Sequence, residues 1–224
     1  MDNKEIVNKE DDLFSNVWTI PNILSFGRIF LIPVFAVLFY MDYLTAALIV
    51  LFISGLSDFF DGKIARKYNQ ISPLGKILDP FADKLTQITI AIMLFFEFLF
   101  ADSNAMRMFS WVFLFFLLKE AVMIIGGIMM LKRGMRPGAA EIYGKVATFV
   151  FYGVMLVIIG FGPEVGAFVR KNPDIAISET TTMILVVIAA ILTFVALMSY
   201  APATIRMFKE NKANRENENK EKGK

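Results

Sequence analysis

The chain contains no cysteine and no histidine. The first absence excludes a disulfide framework, a thiolate nucleophile and a thiolate metal site; the second excludes an imidazole base or ligand. Any metal this chain holds must therefore be held by oxygen, which favours Mg²⁺, Mn²⁺ or Ca²⁺ over zinc or copper. An excess of one sign of charge is missing too, with 23 Lys and Arg against 21 Asp and Glu and a formal net charge of +2. So even a balance does not point to nucleic acid as a partner.

What the chain has in abundance is apolar. Hydrophobic residues make up 56% of the 224 positions, 23 of them Phe, and the mean hydropathy is +0.58. That is the composition of a membrane protein. A spanning helix needs about 20 mostly apolar residues to cross about 30 Å of hydrocarbon. Runs of this kind fall at 22–40, 43–60, 84–100, 108–131, 146–161 and 181–199. The predicted fold class is all-α, a polytopic membrane protein with six transmembrane helices in residues 21–205. The first two runs are separated only by Met41 and Asp42, which predicts a tight antiparallel pair.

Lys and Arg orient the bundle. Lys63, Arg66, Lys67, Lys76, Lys132, Arg133, Arg136 and the tail from Arg206 lie on one face, whereas the other has mainly Arg107, Arg170 and Lys171. The positive-inside bias predicts a multi-pass protein of the cell membrane with both termini and the 62–82 segment cytoplasmic. The opening MDNKEIVNKEDD is too acidic for the n-region of a signal peptide, so the first apolar run reads as a retained span. Within the leader, residues 1–20, Leu13, Phe14, Val17 and Trp18 share one helical face. They predict an N-terminal interfacial amphipathic helix. Residues 206–224 are polar, of mixed charge and without aromatics apart from Phe208, and composition predicts a disordered cytoplasmic tail.

The chemistry concentrates in SDFFDGKIARKYNQISPLGKILDPFADK. Asp58 and Asp61 are three positions apart and Asp79 and Asp83 four, so on helices each pair projects from one face. Gly62, Ser72, Pro73 and Gly75 predict a helix, a turn and a second helix. Two such faces could converge four carboxylates. Their mutual repulsion calls for cationic compensation, and two divalent cations, Mg²⁺ or Mn²⁺, with substrate phosphate oxygens suit such a set.

The residues read D-x2-D-G-x2-A-R-x8-G-x3-D-x3-D as Asp58, Asp61, Gly62, Ala65, Arg66, Gly75, Asp79 and Asp83. This resembles the signature of the CDP-alcohol phosphatidyltransferases, and Pro21, Asn22 and Arg28 in PNILSFGRIFLIP resemble the family's first-helix pattern. The resemblance implies six membrane helices, a homodimer, and transfer of a phosphatidyl group from CDP-diacylglycerol to an alcohol with release of CMP. It implies that Asp58, Asp61 and Asp79 hold two divalent metals and that Asp83 completes the site and acts as general base. It also assigns Gly62, Ala65, Arg66 and Gly75 to the CDP moiety, with Arg66 at its phosphates. Gly62 and Ala65 leave room for the nucleotide, and Gly75 allows close helix approach.

For the acceptor, the basic residues Lys132, Arg133, Arg136 and Lys145 cluster at the fourth-to-fifth-helix junction and suit an anionic alcohol such as sn-glycerol 3-phosphate. Orientation alone would also place Lys132 and Arg133 there. Lys145 in YGKVAT resembles an element of phosphatidylglycerophosphate synthases. Lys119, with Glu120, sits inside the fourth span, where charge is functional or paired, and is a further acceptor-binding candidate. The KEAVMIIGG stretch departs from the Arg-Glu-Phe pattern of those synthases, and GGIMMLKRGMRPGAAEIYGK also resembles cardiolipin synthases, whose acceptor is phosphatidylglycerol. A non-catalytic transporter or cation-binding protein is the alternative from another class.

Overall fold

The computed structural model describes residues 19–67, 74–132 and 142–222, and among these all regular structure is helical. Seven α-helices follow in order: α1 Ile20–Tyr40, α2 Leu44–Lys67, α3 Gly75–Leu99, α4 Asn104–Phe109, α5 Val112–Lys132, α6 Ile142–Phe161 and α7 Glu179–Lys222. Thr19 caps α1 by accepting from the Asn22 N–H at 3.3 Å, and Pro21 stands in the first turn, where a missing N–H costs no intrahelical bond. The α1–α2 turn is as tight as expected. Asp42 takes φ 67° there, a left-handed conformation that Asp tolerates better than most residues. Its carboxylate pairs with both terminal nitrogens of Arg170. This hydrogen bond, more than charge attraction alone, raises the Arg170 guanidinium above its ordinary value.

The neighbour relations close into a ring. α2 packs on α1, α1 on α3, α3 on α5, α5 on α7, α7 on α6, and α6 on α2. The long helices alternate in direction. The start of α1, the end of α2, the start of α3, the end of α5 and the start of α6 therefore share one end of the bundle. At the opposite end, the 162–178 segment folds back over α6: the Ala167 and Phe168 N–H groups donate to Ile159 and Gly160 carbonyls at 2.8 and 3.0 Å. Ser103 also donates to Glu179 at 2.8 Å, tying the start of α4 to the start of α7. Inside the ring, Phe98 of α3, Phe113 and Phe116 of α5 and Phe151 of α6 meet in edge-to-face and tilted contacts 5.1–6.2 Å apart. In hydrocarbon such contacts stabilise through close packing, because lipid is as apolar as the core. Phe30 and Phe149, 71% and 80% exposed, point the other way, as lipid-facing residues would.

Four stretches are long and apolar enough to cross a membrane: Ile20–Tyr40, Asn104–Met130, Ile142–Phe161 and Glu179–Pro202. The other two of the six expected spans are more polar. The apolar part of α2 is Leu44–Asp58, and α3 carries Asp79, Asp83, Lys84 and Glu97. Both helices give up apolar length to the charges they present at one end. The fourth expected span, 108–131, is interrupted near its start: it takes in the last two residues of the short α4 and a break at Ser110 and Trp111 before α5 begins. The leader predicted to be amphipathic lies mostly outside the described residues. The polar 206–222 stretch, predicted from composition to be disordered, continues α7 as helix to Lys222. Ala, Glu, Lys and Arg, which are good helix formers, make up much of it.

A buried ion cluster fastens α3 to α5. Glu120 is 2% exposed and accepts from Lys84 at 2.8 Å on one carboxylate oxygen and from Lys119 on the other. One anion thus serves two cations at a depth where none would be tolerated alone. Removing it leaves two lysines facing each other. Glu120→Leu should lower stability by about 3 kcal/mol, read as a fall in the thermal midpoint in detergent. Adding Lys84→Met and Lys119→Met should restore most of the loss.

Candidate active site

Asp58 stands four turns into α2, and Asp79 and Asp83 occupy the second and third turns of α3. Helix, connection and helix follow in the order the spacing predicts. Asp61, Gly62, Ala65 and Arg66 continue α2 by backbone, one to two turns beyond Asp58, and their side chains are outside the described residues. Gly75 opens α3 and is buried.

Between these two helices the structure inserts α1. Asn22, Ser25 and Arg28 lie at i, i+3 and i+6, so they form one stripe, and all are buried, at 1%, 0% and 2% exposure. Arg28 donates through Nη1 to Asp58 Oδ1 and places Nη2 3.7 Å from Asp79 Oδ1. Ser25 Oγ contacts the same Asp79 oxygen and lies 2.9 Å from the Pro21 carbonyl. One guanidinium therefore joins a carboxylate of α2 to a carboxylate of α3. Asp58 and Asp79 keep 49% and 40% of their side-chain surface exposed, so the pair is anchored on the α1 side and open on the other.

Asp83 is set differently. Gln87, one turn on, donates to its Oδ2 at 2.9 Å, while Oδ1 is buried with no hydrogen-bond partner among the described residues. Tyr152 of α6 approaches from across the ring, hydrogen-bonding the Thr86 side chain within electrostatic range of Asp83 and Asp58. A buried carboxylate oxygen without a donor is an acceptor held ready for a proton or a cation.

Among the described residues no three carboxylates stand close enough to hold a metal ion by themselves. The donor chemistry still fits a hard divalent cation. All candidate ligands are carboxylate oxygens, Asp58 and Asp79 are brought to one guanidinium, and Asp83 offers an uncommitted oxygen.

The acceptor candidates separate. Lys145, in the first turn of α6, is exposed at the same end as the aspartates. Beside it Gly144 faces α7, and a Cβ there would meet Tyr200 Oη at 2.6 Å. Lys119 is engaged with Glu120. Lys132 closes α5 by backbone with its side chain outside the described residues, and Arg133 and Arg136 lie outside them altogether. Sequence reasoning attached Arg28 to a motif without a task, and it missed Ser25, Gln87 and Tyr152. Only the polar i, i+3, i+6 stripe in a hydrophobic helix could have signalled the α1 group.

Comparison with known proteins places the chain in a family. The profile of the CDP-alcohol phosphatidyltransferase family matches residues 18–205. The chain is 33% identical over 195 residues to a CDP-diacylglycerol--glycerol-3-phosphate 3-phosphatidyltransferase of Aquifex aeolicus, covering 85% of this chain and 99% of that one. It is 35% identical over 153 residues to a CMP-forming cardiolipin synthase of Streptomyces coelicolor, covering 65% and 67%. A shorter match, 48% identical over 80 residues, links it to a CDP-diacylglycerol--glycerol-3-phosphate 3-phosphatidyltransferase of Rickettsia typhi, over 34% of this chain and 44% of that one. With residues 18–205 matched by the family profile and the Aquifex aeolicus relative covered over 99% of its length, the chain belongs to the CDP-alcohol phosphatidyltransferases.

Proposed function

We propose that this phosphatidyltransferase moves the phosphatidyl group of CDP-diacylglycerol to sn-glycerol 3-phosphate, releasing CMP and forming phosphatidylglycerophosphate. The observation that carries the reading is the carboxylate set at the charged end of α2 and α3, gathered on Arg28 and open on one side. Asp58, Asp61, Asp79 and Asp83 would hold two divalent cations, Mg²⁺ or Mn²⁺, which when bound neutralise the pyrophosphate and stabilise the leaving CMP. Asp83 accepts the proton of the attacking hydroxyl; the new bond forms at the lipid-side phosphorus as the bond to the CMP oxygen breaks. A carboxylate has this task because the chain has no histidine. Arg66 meets the CDP phosphates, with Gly62, Ala65 and Gly75 making room for the nucleotide.

The six-helix reading belongs with this proposal. α2 has 24 residues and α3 has 25, lengths of about 36 Å that exceed the hydrocarbon thickness. The charged end of each then emerges at the cytoplasmic interface of the cell membrane, where a lipid donor enters from the bilayer and a soluble acceptor from water. The homodimer implied by the family belongs here too.

For the acceptor, Lys145 is the exposed cation at the right end, with Lys132, Arg133 and Arg136 near it in sequence. The Aquifex aeolicus relative, matched over 99% of its length, supports glycerol 3-phosphate. Phosphatidylglycerol is the second reading. It is favoured by the Streptomyces coelicolor relative and by the engagement of Lys119 with Glu120, which leaves that lysine less free for a small phosphate.

Asp61→Asn or Asp79→Asn should abolish CMP release while the protein stays folded, because each removes a ligand's charge at constant size; near-normal turnover at saturating Mg²⁺ in both would overturn the site. Lys145→Ala should raise the KM for glycerol 3-phosphate about 10- to 100-fold, the effect of losing one charge-assisted contact, and leave the KM for CDP-diacylglycerol nearly unchanged. Efficient transfer to phosphatidylglycerol with none to glycerol 3-phosphate would replace the acceptor assignment. A cysteine introduced at Gln70, unique in this chain, should be shielded from an impermeant thiol reagent in intact cells and labelled after permeabilisation.

A further inference from the structure

Among the described residues α2 and α3 each pack extensively on α1, and neither counts the other among its main neighbours. The spacing of Asp58 from Asp79 is therefore governed by a third helix. Ser25 and Arg28 face that gap, and both of their carboxylate partners are contacted at Oδ1. We propose that Arg28, assisted by Ser25, is a positioning residue of the active site: from α1 it holds one oxygen of Asp58 and one of Asp79, and so presets the pair to receive a divalent cation on their open side. This rests on the divalent-cation reading above.

Three observations favour a fixed wall over an exchangeable counter-ion. Arg28 is 2% exposed, whereas its partners are 49% and 40% exposed, so the guanidinium is enclosed and the carboxylates look outward. Ser25, one turn earlier, contacts the Asp79 oxygen that Arg28 approaches, and Arg28 Nη2 reaches the Ser25 hydroxyl at 3.5 Å. The contacts thus form a small network rather than one ion pair. Finally, the planar guanidinium presents two nitrogens in a fixed fork, suited to carboxylates arriving from two helices. Carboxylates that ligate metals need partners of their own to fix their direction, and loss of such a partner typically weakens metal binding about 10- to 100-fold.

The test is Mn²⁺ binding to purified protein in detergent, read from the electron paramagnetic resonance signal of the free ion and requiring no turnover. Arg28→Met should weaken Mn²⁺ binding about 10- to 100-fold. Arg28→Lys, which keeps the charge but not the fork, should recover part of the loss, and Ser25→Ala should give a smaller loss in the same direction. Phe35→Ala, which opens the core two turns along the same face of α1, should lower the thermal midpoint without changing Mn²⁺ affinity. Unchanged affinity in both Arg28 variants overturns the proposal, and tighter binding in Arg28→Met would make the guanidinium a competitor and overturn it too. An equal loss of affinity in Phe35→Ala would reduce Arg28 to a structural residue. Absence of Mn²⁺ binding to the unaltered protein overturns the divalent-cation reading itself, a result distinct from all of these. Should Arg28→Met fail to fold, Arg28→Lys and Ser25→Ala carry the test, and unaltered affinity in both overturns the proposal.

Discussion

Charge at the edge of hydrocarbon must be matched within the protein, and much of this structure follows from where the matching cations stand. Arg28 is the central one. It is buried on the helix that lies between α2 and α3, and it meets a carboxylate from each. Without it the two half-exposed aspartates would lose the guanidinium that stands between them, and their repulsion would oppose the closing of α2 and α3 on α1. With it, the ring can close at its polar end. Lys84 and Lys119 around Glu120 repeat the principle one step along the ring with the signs exchanged, a single anion between two cations. The two clusters share α3, which carries Asp79 toward α1 and Lys84 toward α5, so the helix bearing Asp83 is fastened on both flanks.

The opposite end shows the complementary solution. Its connections are short or folded back on themselves, and the exposed Asp42–Arg170 pair there contributes little beyond local order. The 162–178 segment satisfies its backbone on the α6 carbonyls instead of leaving a cavity. Arg28, Asp79 and Asp83 stand toward the other end of the bundle.

The carboxylate register was legible in the sequence because it is local. Asp58, Asp79 and Asp83 take their relative directions from helix periodicity, and Pro73 and Gly75 in the sequence mark where the second helix starts. The α1–α2 turn was legible for the same reason. The partners were not. That Ser25 and Arg28 meet Asp79 and Asp58, or that Tyr152 of α6 reaches Thr86 beside Asp83, depends on how the helices rotate and in what order they close the ring, and no spacing along one helix carries that information; the Gln87–Asp83 contact, one turn apart on α3, was within reach of spacing alone. α2 and α3 give a weaker apolar signal than the other long helices for a related reason: the charges they carry dilute the hydropathy of the rest. The polar end of α7 escaped composition because low hydrophobicity argues against a packed core while leaving helix propensity intact.

The same geometry bears on the acceptor. A lysine inside a span that had no partner would be a strong claim to an anionic ligand; Lys119 has a partner, and Glu120 divides its charge between that lysine and Lys84. The cluster carries one more positive charge than negative, so it can still lend potential to a phosphate nearby while committing its hydrogen bonds to holding α3 and α5 together. Lys145, by contrast, stands exposed in the first turn of α6. Gly144 lets Tyr200 lie against the helix beside that lysine, so the turn that presents Lys145 is held by α7.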